Sequence, residues 1–150
     1  MLTVSIEVPR SPEIIELVRL GDEYGLGLYP ADSYYSLDLD ELEKPGVTVL
    51  VARRAGAALG LIALVDRGDG TAEIKRMFVA EEARGAGVAS ALMTALEARA
   101  GETGISLVQL ETGPKQPAAI RLYEKHGYHH IPNFGQYVGD DSSYCMEKAL

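Results

Sequence analysis

The chain has 150 residues, 47% of them hydrophobic, 24% charged and 7% aromatic, which excludes a disordered or fibrous protein and suits a single domain with its own core. Fourteen basic against 22 acidic side chains leave a formal charge of −8. Polyphosphate recognition needs a basic face, so neither nucleic acid nor an anionic membrane is expected as the main partner, and cationic ligands are mildly favoured.

In chain order, residues 2–8 alternate and favour β-branched types, as a strand does. Ser11-Pro12 supplies an N-cap and a proline at the first helical position, and Ile14, Leu17 and Val18 follow at helical spacing. That helix is expected to fade between Gly21 and Gly27. Tyr24 to Asp40 reads as irregular, with a short helix around Ser36 to Glu43. Val47 to Arg53 and Leu59 to Val65 form a hairpin around Arg54-Ala55-Gly56-Ala57. The turn-forming run Asp66-Arg67-Gly68-Asp69-Gly70 leads into a third strand, Ala72 to Val79. Connections this short imply antiparallel strands. The alternation Glu73, Lys75, Met77, Val79 puts Glu73 on the face opposite Ile74 and Phe78.

A helix follows over Val88 to Ala100, with Val88, Leu92, Ala95, Leu96 and Arg99 on one face and Gly101 as its stop. Ile105 to Leu110 is a strand, and Gln116-Pro117 opens a helix ending at Gly127. Tyr128 to Ile131 and Tyr144 to Lys148 are short terminal strands. Antiparallel strands ahead of a βαβα unit make an α+β sandwich around a mixed sheet. No apolar run approaches the ~20 residues of a membrane helix. No basic-then-apolar leader pattern opens the chain, so a cytoplasmic protein is expected. The lone Cys145 cannot close an internal disulfide and reads as a small buried hydrophobe. His126, His129 and His130 have no cysteine or acid at zinc-ligand spacing, so no metal is expected.

The chemistry concentrates in Glu73 to Ala100, which runs strand, polar turn, glycine-bearing loop, helix. Gly85 and Gly87 let the backbone turn and a ligand approach. Unpaired N–H groups at a helix start, with the helix dipole, suit a phosphate or pyrophosphate, and Arg84 adds a charge-assisted bond. A P-loop ATPase is excluded, because no Gly-Lys pair with a following hydroxyl exists. GAGVAS meets five positions of the dinucleotide fingerprint, and Glu111 falls where a ribose-binding acid would. Its sixth position is Ser90, however, and five residues separate Val79 from Gly85.

The spacing Arg84-x-x-Gly87-x-Ala89 resembles the Q/R-x-x-G-x-G/A motif of the GNAT superfamily of acyl-CoA-dependent N-acetyltransferases. Some thirty residues on, Ala119 to Tyr128 (AIRLYEKHGY) resembles that family's second signature, A-x-x-L-Y-E-K-x-G-F/Y. The two signatures stand in the family's order and separation. The likeness covers residues 47–148 well and the first 45 in outline.

The resemblance implies a mostly antiparallel, mixed sheet flanked by helices, with two central parallel strands, Ala72 to Val79 and Ile105 to Leu110, splayed apart. Acetyl-CoA, as co-substrate, would lie in the gap. Its pyrophosphate would be held by Arg84, Gly85, Ala86, Gly87, Val88 and Ala89. Backbone groups of Met77, Phe78 and Val79 would pair with pantetheine and polarise the thioester carbonyl. Ala119 and Tyr123 belong to the second signature, and Tyr123 matches the tyrosine near the CoA sulfur. Gln116 stands where the family often has asparagine. It would cap the helix or contact pantetheine.

The implied reaction is acetyl transfer to a small-molecule or peptide amine, by direct attack in a ternary complex. An amine attacks only as the free base, so a general base is required. Glu73 and Glu111 are the candidates, with solvated or capping charges as the bland alternative. Tyr123 is the candidate acid for the departing sulfur, with core packing as its alternative. Tyr24, Tyr29, Tyr34 and Tyr35 cluster in the irregular segment, where aromatic rings with Asp32 and Asp38 would receive an amine. Phe134 and Tyr137 in the late loop would close the same site. A non-catalytic acyl-CoA-sensing module and a dinucleotide oxidoreductase stay open beside the transferase, and a homodimer is common among such proteins.

Overall fold

A computed structural model describes residues 1–150. Its elements are β1 (Leu2–Ile6), α1 (Pro12–Leu28), α2 (Leu39–Leu42), β2 (Val47–Arg54), β3 (Ala57–Asp66), β4 (Thr71–Val79), α3 (Val88–Glu102), β5 (Leu107–Thr112), α4 (Pro117–Lys125), β6 (His129–Ile131) and β7 (Tyr144–Ala149). The seven strands form one sheet in the order β1-β2-β3-β4-β5-β7-β6. Every neighbouring pair is antiparallel except β4 and β5. No helix is long and apolar enough to cross a membrane.

The sheet carries a core on each face. Leu50, Ile62, Leu64, Ile74, Val108 and Leu110 meet Leu92, Met93 and Leu96 of α3 on one side. Val49, Val51, Leu61 and Ala63 meet Ile14, Leu17 and Val18 of α1 on the other. Leu92, Met93 and Leu96 are all fully buried, so truncating one to alanine removes about 2–5 kcal/mol.

Three local expectations are corrected by packing. Helix α1 does not fade at Gly21 but runs to Leu28, with the Ser11 hydroxyl accepting from the Ile14 amide at its start. Its glycines make room: a Cβ on Gly25 would stand 2.1 Å from the Tyr34 ring, and one on Gly21 3.4 Å from Phe78. Helix α3 passes through Gly101, and the turn is made by Gly104 at φ +80°.

The third correction concerns β4. Arg76 takes a left-handed conformation, φ 59°. Opposite it the register steps from Ala63↔Lys75 to Leu61↔Phe78, so three residues of β4 span two of β3. This bulge reverses the side-chain phase. Ile74, Met77 and Val79 all pack on the α3 side, and Phe78 packs on the α1 side. Glu73 and Lys75 therefore share a face with Phe78, contrary to simple alternation. On β3, a Cβ at Gly60 would come 2.9 Å from the Phe78 carbonyl oxygen, so the bulge is accommodated by a glycine.

Parallel pairing of β4 with β5 begins at Thr71↔Leu107 and stops at Ile74↔Leu110. Beyond that point β4 stays with β3 up to Val79, and β5 stays with β7 up to Thr112. The two central strands diverge, and the gap between them is the candidate site.

Candidate active site

A cavity of about 340 Å³ fills the gap. Met77, Phe78 and Val79 line it from β4, Glu111 and Thr112 from β5, and Gln116, Ala119 and Tyr123 from the segment that opens and forms α4. The segment after α1 adds Tyr29, Ser33, Tyr34 and Tyr35.

One end is made of backbone. Gly85 and Gly87 hold φ +81° and +80°, with open space where a Cβ would be. The amides of Gly85, Ala86, Gly87, Val88, Ala89 and Ser90 have no backbone acceptor. Six free donors at the start of a 15-residue helix form an anion cradle. The Val88 side chain is core, so only its amide is available. Arg84 lies beside the cradle, its Nε donating to the Val79 carbonyl at 3.2 Å and its guanidinium over the rings of Tyr24 and Phe78.

Of the predicted cofactor residues, Met77, Phe78, Val79, Arg84, Gln116, Ala119 and Tyr123 line the cavity, while Gly85 to Ala89 follow Arg84 along the loop without lining it. Gln116 does not cap α4 with its side chain; its Oε1 accepts from the Thr112 hydroxyl at 3.3 Å. Tyr123 is 5% exposed. Burial, with the nearby Glu111 charge, raises its pKa well above the ordinary tyrosine value. Its ring meets Tyr128 edge-on at 6.1 Å, and it remains a protonated donor facing the cavity.

The two glutamates part company. Glu111 lines the cavity, and burial lifts its pKa to about 7. The Ser143 hydroxyl donates to its Oε2 at 2.8 Å and opposes that rise. Glu73 does not line the cavity. It accepts from the Tyr137 hydroxyl at 2.5 Å and pairs with Arg67 at 3.3 Å and Lys75 at 3.4 Å. Glu73 is thus engaged by three side chains outside the lining, and Glu111 is the glutamate inside it.

The tyrosines sort similarly. Tyr29 accepts from the Lys115 amide at 3.1 Å, and a Cβ on Gly113 would fall 1.6 Å from its hydroxyl. Tyr34 donates to Asp22 at 2.8 Å and Tyr35 to Asp140 at 2.5 Å. These three remain in the wall. Phe134 and Tyr137 do not line it: Tyr137 is 1% exposed, braced edge-on by Tyr35 and Phe134 and bonded to Glu73 and Lys75. They form a second layer behind the wall, with Tyr137 bonded to Glu73 and Lys75 on the sheet face opposite Ile74. Asp32 and Asp38 are also outside the lining, and Asp38 caps α2 by accepting from the Glu41 amide at 2.8 Å. Arg76, Ser142 and Ser143 escaped sequence reasoning. The bulge that aims Arg76 has no local signature, and the serines sit in a loop of turn-formers.

A model described as the acetyltransferase (GNAT) family matches residues 14–128. The chain is 40% identical over 150 residues to an IAA acetyltransferase of Azospirillum brasilense, covering 99% of this chain and 98% of that one. It superposes on a crystal structure assigned as an acyl-CoA N-acyltransferase of Klebsiella pneumoniae with a TM-score of 0.87 and 34% identity, over 100% of this chain and 98% of the other. The fold is shared with an N-acetyltransferase of Thermoplasma acidophilum in complex with coenzyme A, at TM-score 0.74 and 17% identity over 99% of both chains. The splayed strands, the free amides at the start of α3 and these likenesses agree: the chain belongs to the GNAT family of acetyltransferases, with acetyl-CoA as its co-substrate.

Proposed function

We propose that residues 1–150 form a single-domain cytoplasmic N-acetyltransferase that moves the acetyl group of acetyl-CoA to an amine by direct attack in a ternary complex. One observation carries the reading: a carboxylate with its pKa raised to about 7 shares a cavity with a buried tyrosine. An alkyl amine is mostly protonated at neutral pH, with a pKa near 10.4. Glu111 takes a proton from the acceptor, directly or through a water, as the nitrogen attacks the thioester carbon. The C–N bond forms, the C–S bond breaks, and Tyr123 donates its proton to the departing sulfur. The free amides of Gly85 to Ser90 bind the CoA pyrophosphate, Arg84 adds charge, and backbone groups at Met77 to Val79 face the pantetheine and the thioester oxygen.

The test is CoA thiol release from saturating acetyl-CoA over a panel of amines. Turnover rising with pH through about 7 is expected. CoA binding without turnover of any amine would make the protein an acyl-CoA-sensing module instead.

A further inference from the structure

The charged side chains lining the cavity are Arg76, Arg84 and Glu111. Their balance is cationic although the whole chain carries −8, and it becomes more so as Glu111 protonates near pH 7. Arg84 stands beside the phosphate cradle, which leaves Arg76 for the other end.

The Arg76 side chain is 4% exposed. Its Nε donates to the Leu37 carbonyl at 2.7 Å, its Nη1 donates to the Val18 carbonyl at 3.3 Å, and Nη1 forms an ion pair with Asp22 at 2.7 Å. No protein acceptor meets Nη2, although the residue lines the cavity and the atom is not sealed in the core. A guanidinium carries five N–H donors, and those on Nη2 are left available to a ligand. Asp22, which also accepts from Tyr34, occupies one edge of the fork. The other edge suits a carboxylate oxygen. The left-handed backbone at residue 76 is strained for a non-glycine residue, and the three contacts fix the side chain in this one direction.

We infer that the acceptor carries a carboxylate beside its amine, as an amino acid does, with Arg76 Nη2 holding the carboxylate while Glu111 faces the amine. This rests on the transferase reading above. It sets aside polyamines and protein lysine side chains as preferred acceptors, and it makes Arg76 a specificity-determining residue.

The twenty L-amino acids and their methyl esters are compared as acceptors at saturating acetyl-CoA, and as ligands titrated calorimetrically into the CoA-saturated protein. Esterification leaves more of the amine unprotonated, so chemistry alone favours the ester. The expected result is at least one free acid bound and turned over roughly 10-fold or more better than its ester. Arg76→Gln raises the acid's KM by a similar factor, changes the ester's KM far less, so that the preference for acid over ester is lost, and keeps the thermal shift with CoA. Arg76→Lys recovers part of the selectivity. Esters bound as well as acids, or no acid bound at all, would overturn the inference. Acid-selective binding without turnover would sink the transferase reading, and with it the acceptor role, while leaving Arg76 as the carboxylate-binding residue.

Discussion

The two ends of the cavity are built from different material. The cofactor end offers backbone: six amides from Gly85 to Ser90 with no backbone acceptor, at glycines with no neighbour within 4 Å. The acceptor end offers side chains that are already engaged: Tyr34 and Arg76 on Asp22, Tyr35 on Asp140, and Tyr137 between Glu73 and Lys75 behind them. On the proposed reading, backbone donors, which survive most substitutions, hold the part of the reaction that does not vary, and engaged side chains, which resist rearrangement, hold the part that discriminates. Mutations at the first end should change binding of one common ligand, and at the second should change shape and selectivity.

The sharpest break lies between them, at Glu111. Glu111→Gln should lower kcat by roughly 10²–10⁴-fold, with CoA affinity retained, and flatten the rise in activity through pH 7. Stability should move the opposite way. The folded pKa lies above the ordinary value of 4.5, so the native state binds the extra proton between pH 4.5 and about 7 and stability falls with rising pH across that window. The penalty is absent below pH 4.5 and complete above about 7. The variant should therefore be more stable above pH 7, on the order of 3 kcal/mol, and unchanged at pH 4.5, as denaturant titrations at the two pH values would show. Equal stability of the two proteins at both would mean that burial does not set this group.

Next in size is Gly87→Glu. At 100 times its dissociation constant, CoA should stabilise the wild type by ~2.7 kcal/mol, and the variant should fold yet show no thermal shift. A retained shift would mean that the amides after Arg84 are not the cradle. Gly25→Ala should then test the acceptor wall, since the new methyl would meet the Tyr34 ring. A loss of about 1–3 kcal/mol is expected in denaturant titration, with acceptor KM raised and acetyl-CoA KM unchanged. The smallest effect belongs to Tyr34→Phe, which removes the bond to Asp22 and should lower stability by about 1 kcal/mol while CoA binding stays intact. If it altered CoA binding as strongly as acceptor binding, the division between the ends would not hold.

The sequence made the cofactor end legible because its logic is local. Arg84-x-x-Gly87-x-Ala89 writes a turn, a cradle and a helix start within six residues, and the signature around Tyr123 gives α4 its register. The acceptor end depends on contacts between residues far apart in the chain: Tyr35 with Asp140, Tyr137 with Glu73, Arg76 with Val18 and Leu37. Tyrosine clustering marked the right segment. It could not separate Tyr34 and Tyr35, which line the cavity, from Tyr137, which braces it, because each is placed by partners distant in the chain. Nor does composition distinguish a helical glycine that admits a ring, such as Gly25, from one that ends a helix.

The early end of the β4–β5 pairing makes the sheet two leaves rather than one board. Strands β1 to β4 form one leaf, strands β5, β7 and β6 the other, and four residue pairs from Thr71↔Leu107 to Ile74↔Leu110 are the binding along which they open. Each leaf leaves one strand border exposed inside the molecule, facing its opposite across the gap, where no second copy of the chain can lie alongside it. An open sheet edge is thereby placed at the centre of the fold, sheltered from pairing with another chain.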